Sequence, residues 1–145
     1  MFFHGGGWAL GNLDCYDNVC TRLANRADCL IVSVDYRLAP EYPFPAAPTN
    51  CYAAVEWVAE NAAQLGGDSD RIAVAGDSAG GNLTAVTSLM ARDRDGPAIS
   101  HQSLIYPAVN PGILREFDSY AENGRLLPRT REHEVVLRAV HREPD

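Results

Sequence analysis

The sequence has no excess of positive charge. Twelve Lys and Arg stand against 19 Asp and Glu, and the formal net charge is -7. Phosphate backbones are held by basic patches, so nucleic acid is not an expected partner. Docking on anionic membrane surfaces is disfavoured for the same reason. No run of about 18 apolar residues occurs, so no membrane span is expected. No basic segment followed by an apolar one opens the chain, so no secretory leader is read there. The four cysteines, Cys15, Cys20, Cys29 and Cys51, form no Cys-x-x-Cys pair, and no His stands at zinc-finger spacing. The expectation is four unpaired thiols in a reducing, cytoplasmic compartment.

What is present is apolar material for a core. Hydrophobic residues make up 46% of the 145 and charged residues 21%, a composition of soluble globular type. Along the chain, short apolar runs alternate with helical patterns. Met1-Phe2-Phe3 reads as the end of a strand. A glycine-rich loop from His4 to about Asn12 follows. Val19, Leu23 and Ala27 recur at helical spacing within about Tyr16 to Ala27. Cys29 to Val34 is a continuous apolar run, which predicts a strand buried on both faces of a parallel sheet. Pro40, Pro43 and Pro45 forbid helix and ladder strand, so the stretch from Leu38 to Pro45 is a loop. A helix is predicted from about Ala46 to Ala63, with Tyr52, Val55, Trp57, Val58 and Ala62 on its apolar stripe, ended by Gly66-Gly67. Arg71 to Ala75 reads as a strand, Ala79 to Arg92 as a helix, and Ser103 to Tyr106 as a further strand. Alternation of this kind implies right-handed crossovers and an α/β fold, a mostly parallel sheet with helices on both faces.

Gly76-Asp77-Ser78-Ala79-Gly80 falls between the strand at Arg71 to Ala75 and the helix that follows it. It matches Gly-x-Ser-x-Gly, the pattern of a nucleophile held on a tight strand-to-helix turn. Glycines at the flanking positions leave room for the neighbouring strand and helix. The turn lifts the Ser78 hydroxyl above the carboxyl end of the sheet, and the helix behind it offers partial positive charge. Upstream, His4-Gly5-Gly6-Gly7 directly follows a strand stub. Its glycines let backbone N–H groups approach a developing oxyanion with no side chain in the way. Gly5, Gly6, Gly7 and the N–H of Ala79 are therefore the candidate oxyanion hole, with Gly6 central. A phosphate loop is the rival reading, but its Gly-x-x-x-x-Gly-Lys-Ser/Thr pattern is missing. His4 precedes the glycines and is read as shaping the loop by hydrogen bonding, pointing away from the pocket.

Three blocks together resemble the hormone-sensitive-lipase family of α/β-hydrolases, in the branch with a Gly-Asp-Ser-Ala-Gly elbow. They are His4 to Trp8, Asp35 to Glu41 with Pro43-Phe44-Pro45-Ala46-Ala47, and Gly76 to Leu83. The resemblance covers about residues 1 to 125. It implies a carboxylic-ester hydrolase acting on small acyl esters without metal or cofactor, with Ser78 as nucleophile. It implies ion pairs of Arg37 and Glu41 in the second block, and it places Asn50 where the family often has Asp. Two other outcomes stay open: a receptor-like member that binds a small molecule, and an amide hydrolase such as an arylformamidase.

The departures concern the rest of a triad. In the family, the acid and the base follow the strand that ends at Tyr106-Pro107, and neither block is found. His101 opens a strand, His133 and His141 lie in a polar tail, and none is read as the base. Asp118 belongs to a cap-return-like segment and is not read as the acid. Residues 1–110 are therefore expected to form an incomplete core of an α/β-hydrolase domain. Residues 111–145 form an irregular tail, with a shift of reading frame near Glu134 as one explanation of its missing aromatic helix. An internal fragment without its own base is expected to be inactive.

Overall fold

A computed structural model describes residues 1–109 of the chain. The elements in order are β1 (Phe2–Phe3), α1 (Leu13–Ala27), β2 (Ser33–Val34), α2 (Ala46–Asn61), β3 (Ala73–Asp77), α3 (Ala79–Asp93) and β4 (His101–Ile105). The four strands form one parallel sheet in the order β2-β1-β3-β4. The α/β architecture read from the alternating pattern is thus present. The expected tail at 111–145, with Asp118, His133 and His141, lies outside the described residues.

The winding reverses inside the sheet. The crossover from β1 through α1 leads to one side, and the crossover from β3 through α3 leads to the other. With right-handed crossovers, α1 covers one face while α2 and α3 cover the opposite one. In keeping with this, α2 and α3 pack against each other. The reversal falls between β1 and β3, where open α/β sheets form a crevice beyond their carboxyl ends. The register pairs Phe2 with Ala75 and Phe3 with Gly76. Both chains therefore leave the sheet side by side, one into the glycine loop and the other into the Ser78 turn.

The core lies between the sheet and the α2–α3 layer. Phe3, Val34, Val74, Val55, Leu83 and Cys51 are buried there together with Tyr36. Several sequence expectations shift. Helix α1 starts at Leu13, three residues before Tyr16, because the Asn12 side chain caps it by accepting from the Cys15 N–H at 2.9 Å. Its apolar positions Val19 and Leu23 are exposed, and only Cys20 is buried. The run from Cys29 to Val34 is not a strand buried on both faces. Only Ser33–Val34 is ladder, at the sheet edge beside the two-residue β1, and Leu30 is exposed. Trp57 is also exposed, at 53%. Two residues beyond Val55, it is turned about 200° around the helix from the buried stripe. Strand β3 begins at Ala73 because Ser69–Arg71 form a 3₁₀ turn, and β4 begins at His101. Gly66 ends the helical segment in the left-handed region at φ 76°.

The tightest packing joins the sheet to α3. A Cβ on Gly80 would stand 2.6 Å from the His4 carbonyl oxygen and closer still to that of Phe3. Backbone cannot give way as a flexible side chain can. Gly80→Ala is therefore expected to destabilise the fold by about 3 kcal/mol or more, whereas Trp57→Ala should cost under about 1 kcal/mol. Urea unfolding midpoints check both. A Gly80→Ala protein as stable as the parent would contradict the close contact.

Candidate active site

Ser78 links the last residue of β3 to the first of α3. Its backbone stands at φ 54°, ψ -115°, a strained combination for a residue with a side chain. Strain of this kind costs about 1–3 kcal/mol and persists only where the surroundings enforce it. Here three hydrogen bonds do so. The Ser78 N–H donates to the Ile105 carbonyl at 2.9 Å, and its carbonyl accepts from Ala108 at 3.0 Å and Asn82 at 3.1 Å. The strand end of β4 and the first turn of α3 thus hold the residue from both sides. The Ser78 hydroxyl, half-buried, caps nothing in α3 and is engaged by no described residue.

The neighbouring loop is fixed one peptide group at a time. The Tyr36 hydroxyl donates to the His4 carbonyl at 2.6 Å. Gly5 donates its N–H to Asp77 Oδ1 at 2.9 Å and to the Tyr16 oxygen at 3.1 Å. The Gly5 carbonyl lies 2.7 Å from His4 Nδ1. A carbonyl can only accept, so Nδ1 carries the proton. Gly6, at φ 119°, turns the chain so that its carbonyl accepts from Leu10 at 2.9 Å and Ala9 at 3.2 Å. Among the described residues this leaves the N–H groups of Gly6 and Gly7 without an acceptor, and that of Ala79 at the helix start likewise. Such donors, near a serine at the end of a parallel strand, can hold a negative oxygen.

Gly5 departs from the expectation that it shares in the oxyanion hole. Its N–H is already committed to Asp77 and Tyr16, so it supports the loop and does not donate into the crevice. His4 shapes the loop as read from the sequence. It is fully buried, stacked on Tyr36 with ring centroids 4.4 Å apart, and its Nε2 meets no partner among the described residues. His101 pairs with Ala73, at the amino end of the sheet. Five strand steps separate that level from Ser78, roughly 16 Å. A groove of about 600 Å³ lined by Arg92, Ile99 and His101 lies at that far end. Arg37 makes no ion pair with Glu41 among the described residues. Its Nε donates to Asn50 Oδ1 at 2.9 Å, and its guanidinium lies over the Tyr42 ring at 5.0 Å. Asn50 supplies the oxygen that the resemblance assigns to an Asp. Among the described residues, no group of three His, Cys, Asp or Glu side chains stands close enough to hold a metal ion.

Tyr16, Tyr36 and the Asp77 side chain were not singled out by the sequence patterns. Tyr16 ionises above the ordinary tyrosine range, first because it is desolvated, then because Asp77 accepts a hydrogen bond from its hydroxyl and carries charge beside it. Burial pushes Tyr36 upward more strongly.

A serine on a strained strand-to-helix turn, facing a glycine loop at the switch point of a parallel sheet, defines an α/β-hydrolase. The chain belongs to the α/β-hydrolase fold family, which its sequence matches over residues 1–143. It is 52% identical over 123 residues to the carboxylesterase NlhH of Mycobacterium tuberculosis, covering 85% of this chain and 38% of that protein. It is 55% identical over 108 residues to the esterase LipI of the same species, covering 74% of this chain and 34% of that protein. Among solved structures, the esterase of Pyrobaculum calidifontis superposes with a TM-score of 0.89 at 47% identity, covering 99% of this chain and 47% of that one. The chain thus spans between a third and half of the length of these relatives. Their esterase names agree with the hormone-sensitive-lipase-like resemblance read from the motifs.

The Tyr36–His4 contact makes a prediction. Tyr36→Phe strips a buried carbonyl of its donor and is expected to cost about 1–3 kcal/mol. In the unfolded chain Tyr36 ionises near 10.0, while the fold keeps it protonated above that. Its raised value therefore leaves stability intact below pH 10 and removes it as the pH climbs further. Thermal melting from pH 8 to 11 should show this decline in the parent and a shallower one in Tyr36→Phe. Parallel declines would refute it.

Proposed function

We propose that this chain carries the nucleophile and oxyanion-binding half of a carboxylic-ester hydrolase acting on small acyl esters. One observation carries the reading: among the described residues, Ser78 is forced into a strained turn with its hydroxyl unengaged, beside a loop whose Gly6 and Gly7 N–H groups are left open. The esterase relatives support it. In the reaction, a base takes the Ser78 proton as Oγ bonds to the ester carbonyl carbon. The carbonyl oxygen becomes an anion, held by the N–H groups of Gly6, Gly7 and Ala79. Collapse of the intermediate expels the alcohol, which leaves with the proton. Water repeats the sequence to release the acid.

None of the described histidines is placed to take that proton. His4 is buried with Nδ1 committed, and His101 lies at the other end of the sheet. Asp77 has both carboxylate oxygens occupied. The proposal therefore includes a site whose triad Asp and His are supplied by none of the described residues. The free thiols of the described cysteines agree with a reducing, cytoplasmic setting.

Exogenous imidazole tests the reading by supplying the base that none of the described residues provides. The 145-residue protein alone is expected to hydrolyse a short-chain nitrophenyl ester no faster than its Ser78→Ala variant. With imidazole added, the parent should exceed Ser78→Ala at the same imidazole concentration by about tenfold, within the range of general-base contributions. Equal rates with imidazole would remove Ser78 as nucleophile. Fast Ser78-dependent turnover without it would show that a base is present.

A further inference from the structure

The Asp77 carboxylate is half-buried at the variable position of the elbow, one residue before the nucleophile, and the reaction outlined above gives it no part. Its two oxygens face different elements. Oδ1 accepts from the Gly5 N–H at 2.9 Å, and Oδ2 accepts from the Tyr16 hydroxyl at 3.0 Å. The Tyr16 oxygen in turn accepts from the same Gly5 N–H at 3.1 Å. Three residues, from β3, α1 and the glycine loop, thus close a triangle of hydrogen bonds around one N–H. We propose that Asp77 and Tyr16 are positioning residues, which clamp the Gly5 peptide so that the following N–H groups of Gly6 and Gly7 face the space above Ser78. The proposal rests on the esterase reading of that site and extends it.

Two observations and one electrostatic argument support the clamp. Gly5 is held at both polar groups, by Asp77 and Tyr16 at its N–H and by His4 at its carbonyl, so its peptide planes cannot rotate freely. A Cβ on Gly5 would lie 2.9 Å from the Tyr16 oxygen and nearer to Asp77 Oδ2, so the clamp requires glycine at this position. Finally, a carboxylate beside an oxyanion site would repel the charge that develops there. Two donors directed at Asp77 bind that charge on the loop's supporting side. Geometry matters here because an oxyanion donor misplaced by about 1 Å loses much of its effect.

Asp77→Asn and Tyr16→Phe test the clamp, with exchange of the Gly5 amide followed by NMR in the full chain. Imidazole-assisted, Ser78-dependent ester hydrolysis is measured in parallel. Gly5 amide exchange should quicken about tenfold or more in Asp77→Asn, as expected for losing a hydrogen bond to a charged group. In both variants kcat should fall about tenfold, with KM within about twofold of the parent. A residue that merely stabilised the fold would not produce that split. Unchanged Gly5 exchange in Asp77→Asn overturns the clamp, and so does altered exchange with an undiminished kcat. Tyr16→Phe removes one oxygen only and decides the kcat question should Asp77→Asn fail to fold. A parent without any Ser78-dependent rate would count against the esterase reading, and Gly5 exchange would then judge the clamp alone.

Discussion

The approach of α3 to the end of β1 is the constraint on which the site depends. Gly80 brings the first turn of the helix against the carbonyl oxygens of Phe3 and His4. No side chain fits between them. That contact sets the height of Ser78 above the sheet and fixes where the glycine loop departs. The parallel pairing of β1 with β3 supplies the other half of the geometry, because adjacent strands ending at one level launch their loops into one crevice. A serine and a row of N–H donors, distant in sequence, are brought to one crevice by this backbone packing.

Strain and support are closely matched around the nucleophile. Ser78 occupies a conformation that ordinary residues avoid, and three backbone hydrogen bonds hold it there. Net values near 1 kcal/mol for such bonds are of the same size as the strain they oppose. The loop follows the same pattern. Tyr36, Asp77, Tyr16 and the His4 ring each satisfy one peptide group, and Gly6 closes a turn on itself. A loop with so many glycines has great conformational freedom when unfolded. Its order in the native state is therefore imposed by aromatic and carboxylate side chains from outside it.

This explains which parts were legible in the sequence. The elbow and the glycine loop were readable because their glycines meet local steric demands that no other residue satisfies. The α/β order was readable from alternating apolar runs and helical spacings. The supporting residues were not. Tyr16 looked like a helix residue, Tyr36 like part of a structural block, and Asp77 like a free choice within the motif. Their roles arise from contacts spanning 11, 32 and 72 residues of sequence, which no local pattern records. The run from Cys29 to Val34 misled because apolar content was taken as burial on both faces, whereas only Ser33–Val34 joins the ladder, at the sheet edge. Trp57 misled by size, since its angular position on α2 and not its hydrophobicity decides its exposure. Arg37 carries the charge expected of an ion pair, but the nearby amide of Asn50 meets it instead.

The pairing of Phe3 with Gly76 also has a temporal side. During synthesis the segment bearing β1 emerges 73 residues before its central neighbour, the difference between positions 3 and 76. At about 5–20 residues per second that is roughly 4–15 seconds of waiting. Phe2 and Phe3, among the most deeply covered side chains in the finished sheet, spend that interval without the cover that β3 and α3 supply. The pairing of Phe3 with Val34 closes a much shorter stretch of chain, so β1 can join β2 first, and the β1–β3 contact is the long-range event that must wait.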